Sequence, residues 1–249
     1  VADNPGIRIR WSDLYRTLRE PIADRVLFGT TVEALDLSPA DGATLALRAA
    51  DGGTRVLEGV DLVIAADGRY SPVRAAHFGR ETPRQLGVVI YRVLMEADEN
   101  APVDDYGQWF NGPNRLLAFR VPGDAVYCAG TFTIPAGAPV PEDMRTPERL
   151  AALYVPPAGL DRASAFLVDG IVRNLDQIHW ARMQEGTIRF AHPSGRLLLL
   201  GDAAHPMVPT LGQGATMAIE DGCVTADALG EALAAGAPLA DVPATVAAR

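Results

Sequence analysis

The sequence predicts a mixed α/β fold in which a ligand-binding α/β domain is interrupted by a separate, sheet-rich domain. Three observations carry this. Two apolar runs, Val60–Ala66 and the leucines of 196–200, each end where an acidic residue adjoins glycine: Asp67-Gly68 and Gly201-Asp202. Buried parallel strands read this way, and α/β proteins bind ligands at the carboxyl ends of such strands. Between them, residues 85–97, 106–111, 115–121 and 125–134 alternate in strand fashion, with turns at Asn111-Gly112-Pro113-Asn114 and Pro122-Gly123-Asp124, as in an antiparallel sheet. Finally, strand 196–200 leads through a Pro/Gly loop into a helical pattern over 213–235, so the chain returns to the first domain. The expected division is 1–80 and 190–249 for the α/β domain and 81–189 for the insertion, with the crevice between them as the default ligand site.

Taken in order, residues 10–20 place Trp11, Leu14, Tyr15 and Leu18 on one helical face, and Pro21 stops the helix. Strand-like runs follow at 26–37, 43–49 and 54–65, separated by Pro39-Ala40-Asp41-Gly42 and Asp51-Gly52-Gly53; these read as a β-meander. Residues 135–147 are Pro-rich and loop-like, and helices are expected over 147–154 and 170–183. Past 234 the Ala/Gly/Pro content rises and a frayed end is expected. No internal repeat is found. The first residues, from Val1, read as mid-domain sequence, and the expectation is a piece of a longer domain.

Composition narrows the chemistry. At 249 residues and 48% hydrophobic the chain can bury a real core. Its formal charge of −9 and lack of a basic stripe argue against nucleic acid. No apolar run approaches the roughly 20 residues of a membrane span, and no signal-peptide pattern opens the sequence. Cys128 and Cys223 have no metal-type spacing and read as free thiols of a cytoplasmic protein, one disulfide being the alternative. All 22 basic residues are arginines, which removes lysine Schiff-base chemistry and the phosphate-loop lysine. His77 and His179 share no ligand spacing, His192 reads as surface, and His205 reads as a packed structural histidine, so no metal site is expected.

The stretch from Leu198 to Asp221 is the most specific. It delivers Asp202 to a strand end, then places Gly212-Gln213-Gly214 before a helix whose free N–H groups stabilise an anion. A carboxylate for a sugar hydroxyl beside a helix dipole for an anionic ring suits a large cofactor better than a small substrate. The earlier motif, Asp67-Gly68-Arg69-Tyr70-Ser71-Pro72-Val73-Arg74, also reads simply as a strand-to-helix turn capped by Ser71.

Together the two motifs resemble the FAD-dependent aromatic-ring hydroxylases, the p-hydroxybenzoate and salicylate hydroxylase-like flavoprotein monooxygenases. Asp67-Gly68-x-x-Ser71-x-x-Arg74 resembles that family's Asp-Gly motif. Gly201-Asp202-Ala203-Ala204-His205-Pro206, with Pro209 and Gly212-Gln213-Gly214, resembles its Gly-Asp motif. The resemblance covers roughly residues 7–235. It implies an FAD-binding Rossmann-like domain interrupted by an antiparallel sheet domain that binds substrate. It also implies NADH or NADPH as co-substrate, and a reaction in which reduced flavin and O₂ hydroxylate a phenol-type or heteroaromatic small molecule. By the same resemblance Asp202 bonds the ribityl chain, with Gly201 forming its turn, and the 212–214 backbone faces the flavin pyrimidine edge. Asp67 and Gly68 serve the pyrophosphate and the nicotinamide cofactor, with Arg74 in support. Pro209 turns its carbonyl toward substrate beside the reactive edge of the flavin, and Val32 lies near the adenine. Arg10 contacts FAD, with Arg8 as the alternative, since Trp11-Ser12-Asp13-Leu14 departs from the commoner spacing.

Tyr91-Arg92 resembles an aromatic-Arg pair at the start of the inserted sheet. Two readings stand open: the pair lines the substrate pocket, with Tyr91 as proton relay, or Tyr91 is core and Arg92 surface. Trp109 and Phe110 are adjacent on a strand, so one of them, here Trp109, faces the pocket. The family's opening Gly-x-Gly-x-x-Gly turn does not occur in this sequence, and the expectation is that the chain alone does not hold FAD tightly. The alternatives are a halogenase or reductase of the same fold, or a non-catalytic fragment that binds a small aromatic ligand. A monomer or homodimer is expected.

Overall fold

A computed structural model describes residues 9–104, 106–209 and 212–249. Helix α1 is Trp11–Arg19; Pro21 does not end the helical path but sits in the first turn of a 3₁₀ segment, Glu20–Arg25, a position where the missing N–H costs nothing. Strands β1 (Thr30–Asp36), β2 (Ala43–Ala49) and β3 (Thr54–Val60) form the expected antiparallel meander in the order β1-β2-β3. The single run expected over 54–65 is broken at Asp61-Leu62, where the chain changes sheets. Strand β4 (Val63–Ala65) pairs in parallel with β10 (Leu197–Leu199), Leu198 opposite Ile64. Helix α2 (Pro72–Phe78) follows, then the inserted strands β5 (Arg84–Glu96), β6 (Gly107–Asn111), β7 (Asn114–Val121) and β8 (Ala125–Thr133).

Next come helices α3 (Pro147–Ala152) and α4 (Arg162–Arg173), then strand β9 (His179–Glu185). The helix expected over 170–183 is therefore displaced. Asp161 caps the start of α4, accepting from the Ser164 N–H at 2.6 Å, and Asn174 ends it by donating its side-chain amide to the Gly170 carbonyl at 2.8 Å. Residues from His179 onward join the five-stranded sheet β6-β7-β8-β5-β9 instead. After β10 the long helix α5 (Gly214–Ala235) ends at Gly236 in a left-handed cap, and α6 (Val242–Ala248) follows. The frayed end expected past 234 is not observed, because Val242 and Val246 are buried in one cluster with Leu198 and Ala228.

The chain divides into two compact units. Residues 85–183 and 9–26 form one; residues 27–84 and 184–249 form the other. Residues 9–26 thus group with the five-stranded sheet rather than with the meander. Arg10 is one reason: its guanidinium donates to the Gly123 carbonyl at 3.0 Å, at the turn between β7 and β8.

In the sheet unit the strand register sorts side chains onto two faces. Tyr91 lies opposite Gly130, Val93 opposite Cys128 and Trp109 opposite Leu116; this face carries the core and packs against Leu150 of α3 and Leu167 and Ile171 of α4. Arg92 opposite Ala129, Leu94 opposite Tyr127 and Phe119 opposite Tyr127 belong to the other face.

Both cysteines are free thiols, Cys128 buried and Cys223 exposed. Burial pushes the Cys128 thiol up to about 12, so it holds almost no thiolate at neutral pH. A thiol-reactive disulfide reagent should therefore titrate Cys223 in the native protein and Cys128 only after unfolding. Two fast native thiols would contradict this burial.

Candidate functional site

Strands β4 and β10 are three residues each and parallel, and each stops at an acidic turn. The Leu200 N–H donates to the Ala65 carbonyl at 3.0 Å, which brings the two turns out at one sheet edge. Asp67 and Asp202 are both exposed there.

The Asp-Gly turn has the capping geometry that its sequence allows. Ser71 caps α2 by accepting from the Arg74 N–H at 2.8 Å, and Asp67 accepts from the Val73 N–H at 3.2 Å. Arg74 itself is buried. Its guanidinium donates to the carbonyls of Ala203 at 3.0 Å and Ala204 at 2.9 Å, to the Glu81 carboxylate at 2.9 Å, and to the Thr187 carbonyl at 2.5 Å. Glu81 also accepts from the Thr187 hydroxyl and lies 3.5 Å from the Arg189 guanidinium. Thr187 first, then Arg74 and Arg189, hold the Glu81 carboxyl below its usual range against a smaller opposing effect of burial. Arg69 donates to the Met207 carbonyl, a second bridge between the two motifs.

The Gly-Asp turn is held from the opposite side by α5. Asp221 Oδ2 accepts from the Gly201 N–H at 2.8 Å and contacts His205 Nε2 at 2.7 Å. A carboxylate oxygen that already accepts one N–H sets the tautomer: the hydrogen is on Nε2 of His205. Gly201 has φ +56°, and a Cβ there would come within 3.1 Å of the Ala218 Cβ, so the turn permits no larger residue without strain.

Between these anchors Asp202 is free to act. A Cβ on Gly214 would lie 4.0 Å from Asp202 Oδ1, so the carboxylate sits beside the first turn of α5. Among the described residues the N-cap of that helix, Gln213, gives no side-chain cap, and no acidic residue stands in its first turn. Its leading N–H groups are thus open to an outside acceptor. Gly212, at φ +67°, has nothing within 4 Å of where a Cβ would stand, and Gln213 and Pro209 are exposed. A carboxylate that accepts hydroxyl hydrogens beside amides that favour negative charge is the donor set that FAD's ribityl chain and pyrimidine edge require, so these residues fit the group. Thr210 and Leu211, within the Gly-Asp stretch, and Arg8 lie outside the described residues. Val32 is exposed on β1, opposite Leu47.

The structure separates residues that the sequence grouped in the sheet unit. Tyr91 is fully buried on the helix side and packs against Tyr154 and Trp180; Arg92 is on the other face. The two therefore do not line one surface. Desolvation raises the Tyr91 hydroxyl well above its ordinary pKa, which suits it poorly to relay protons at neutral pH. Its neighbour is the Tyr154 hydroxyl, with which it makes no hydrogen bond of normal geometry among the described residues. Tyr91→Phe should accordingly leave stability unchanged or slightly higher, and turnover within about twofold, whereas losing a true proton relay would cost about a hundredfold or more. Steady-state rates with unfolding curves decide this. Trp109 is likewise on the helix side, beside a cleft of about 320 Å³ that Tyr154 and Asp161 also line. Phe110, not Trp109, projects from the other face.

Arg69, Glu81, Thr187 and Asp221 were not foreseen. No signal marked Asp221, since α5 also carries Glu220, Asp227 and Glu231. Among the described residues no three His, Cys, Asp or Glu side chains could hold a metal, and no helix is long and apolar enough to cross a membrane.

Residues 161–241 match the family model described as an FAD binding domain. The chain is 33% identical over 233 residues to the 3-amino-4-hydroxybenzoate 2-monooxygenase PtmB3 of Streptomyces platensis, covering 92% of this chain and 56% of that protein. It is 31% identical over 231 residues to the aurachin C monooxygenase/isomerase of Stigmatella aurantiaca, covering 90% and 56%. Among solved structures, Klebsiella pneumoniae HpxO complexed with FAD and uric acid superposes with a TM-score of 0.70 at 26% identity, covering 87% of this chain and 54% of that one. The chain spans about half the length of the curated relatives it matches.

Proposed function

The chain belongs to the FAD-dependent aromatic-ring hydroxylase family, and from that premise we propose that it serves the NAD(P)H- and O₂-dependent hydroxylation of a small aromatic or heteroaromatic molecule. The observation that carries the reading is the placement of the Asp202 carboxylate beside the uncapped start of α5. When bound and reduced by NADH or NADPH, FAD supplies the activation of O₂ and the transfer of one oxygen atom to an electron-rich ring. The protein binds and orients. Asp202 accepts from ribityl hydroxyls, and the amides of 212–214 stabilise negative charge on the pyrimidine edge. Asp67 and Gly68 serve the pyrophosphate and the nicotinamide co-substrate, while Arg74 and Asp221 hold the turns on which those groups sit. Val32 and Arg10 contact the FAD, and the Pro209 carbonyl faces the substrate. Arg92 contacts the substrate directly; Tyr91 and Trp109 support the same sheet from its helix side. A cytoplasmic monomer or homodimer is part of the same proposal, and the acidic balance of the chain argues against a nucleic-acid partner.

The test is a screen of phenols and hydroxypyridines with FAD-supplemented protein. The reading expects substrate-stimulated, O₂-dependent NAD(P)H oxidation yielding a hydroxylated product. Oxidation that proceeds without O₂ would assign a reductase instead, and a halogenated product in the presence of halide would assign a halogenase.

A further inference from the structure

We propose that the outer edge of β6 is an interface between two copies of this chain, joined edge to edge across a two-fold axis at Trp109. The starting observation is an unpaired stretch of main chain. Strand β6 ends the five-stranded sheet, with β7 as its neighbour. The register between them closes on Asn111 opposite Asn114 across a two-residue turn. That closing pair is hydrogen-bonded, and the pairs behind it alternate. Gly107, Trp109 and Asn111 therefore bond to β7. The N–H and C=O groups of Gln108 and Phe110 point the other way, and they have no main-chain partner among the described residues.

The edge is open as well as unpaired. A space of about 320 Å³ touches Gln108, Trp109, Phe110 and Asn111 together. Successive strand residues point to opposite faces, so a space that reaches all four runs beside the strand. Asp161, which borders it, is already occupied in capping α4 through the Ser164 N–H.

An outer strand is a template for another chain, and charged side chains, bulges or a covering loop normally prevent pairing. The other outer strands of the antiparallel sheets carry such guards. Strand β1 has Glu33 and Asp36, β3 has Arg55 and Glu58, and both pairings of the meander contain a register shift. Strand β9 has Arg182 and Glu185, and Arg182 donates to the Ala138 carbonyl at 3.2 Å, which holds that loop beside the strand. Strand β6 reads Gly107-Gln108-Trp109-Phe110-Asn111, with no charge and no proline, and its register with β7 has no shift. Phe110 on it is 65% exposed.

A second copy is the occupant that this edge fits. Each chain carries a formal charge of −9, so two copies repel except where the meeting surfaces are uncharged. In a two-fold contact each residue near the axis meets its own image, and a charge there would repel itself; β6 has none. The pairing is also self-complementary. A two-fold at Trp109 sets Gln108 opposite Phe110 of the second copy, and these outward-facing residues exchange both N–H···O bonds, once on each side of the axis. Trp109 meets its own image in the non-hydrogen-bonded pair between them, where side chains approach most closely. The strand is short, so the dimer is a weak one that forms by mass action.

This inference selects the homodimer of the proposed function but needs none of its chemistry, so its failure would leave the hydroxylase reading as it is. The test is sedimentation equilibrium of the chain from about 1 μM to about 1 mM, over which the average mass should climb from that of one chain toward that of two. Gln108→Pro removes an outward N–H that the β6–β7 pairing does not use. Phe110→Lys sets a charge on the edge. Each should raise the dissociation constant about tenfold or more, because the two-fold counts every lost contact twice. Should either variant fail to fold, amide exchange in the wild type decides. The Gln108 and Phe110 amides should exchange several-fold more slowly at about 1 mM than at about 10 μM, since pairing protects them. A chain that stays monomeric to about 1 mM, a dimer that survives either substitution unweakened, or outward amides whose exchange ignores concentration overturns the proposal.

Discussion

Replacing Arg74 with methionine should lower the unfolding free energy by about 3 kcal/mol, the lower end of the range for breaking a buried ion pair. The lower end applies because Glu81 keeps 29% side-chain exposure against 10% for Arg74. The loss is more than one ion pair. Arg74 supplies the donors for the Ala203 and Ala204 carbonyls, and it ties α2 to the turn that carries Asp202. Methionine fills the volume but donates nothing. Lysine should rescue little, since a point charge on a flexible stem cannot reproduce a planar fork that serves acceptors on four residues. Urea unfolding measures this directly, and a loss below about 1 kcal/mol would show that the contacts are dispensable. The network also has a pH signature. The folded Glu81 carboxyl is held below its ordinary value of 4.5. Its contribution is therefore fully present above that value and is lost as the pH falls through the lowered one. Arg74→Met should flatten the acid limb of the stability curve.

Asp202→Ala should weaken FAD binding by about tenfold or more, or roughly 1.4 kcal/mol upward, with little change in stability. The separation of the two effects follows from position. Asp202 is exposed and carries none of the hydrogen bonds that hold the turn, which belong to Gly201, His205, Asp221 and Arg74. Quenching of FAD fluorescence by wild type and variant gives the affinities, and thermal unfolding gives the control. Equal affinities would remove Asp202 from the site. A parallel loss of stability would make it a structural residue instead.

What the sequence made legible, and what it concealed, divides along physical lines. The meander, the strands β4 and β10 and the helix α5 were readable because turn residues and apolar runs mark them locally. Strand β9 was not, because Trp180 and Met183 follow directly on the apolar face of α4 and only Asn174 and a single 3₁₀ turn separate the two periods. The ends of the motifs were readable as strand-terminal carboxylates. The stitching of those motifs was not: the acceptors of Arg74 are main-chain carbonyls 129 and 130 residues away, and no side-chain pattern announces a carbonyl. Tyr91 and Arg92 show a third limit. Adjacent residues on a strand must face opposite ways, yet which of the two faces the core depends on the register with β8. Gly130 decides it, since a Cβ there would meet the Tyr91 ring at 2.1 Å; the tyrosine occupies the space that the glycine leaves.

The measurement that bears most directly on the central reading is isotopic. FAD-supplemented protein is turned over with NADH or NADPH under ¹⁸O₂ in the presence of an aromatic substrate that stimulates oxidation. The account predicts one ¹⁸O atom in the product ring for each reduced nicotinamide consumed. A product whose new oxygen comes from water, or an FAD-loaded protein that no aromatic compound stimulates, would contradict it.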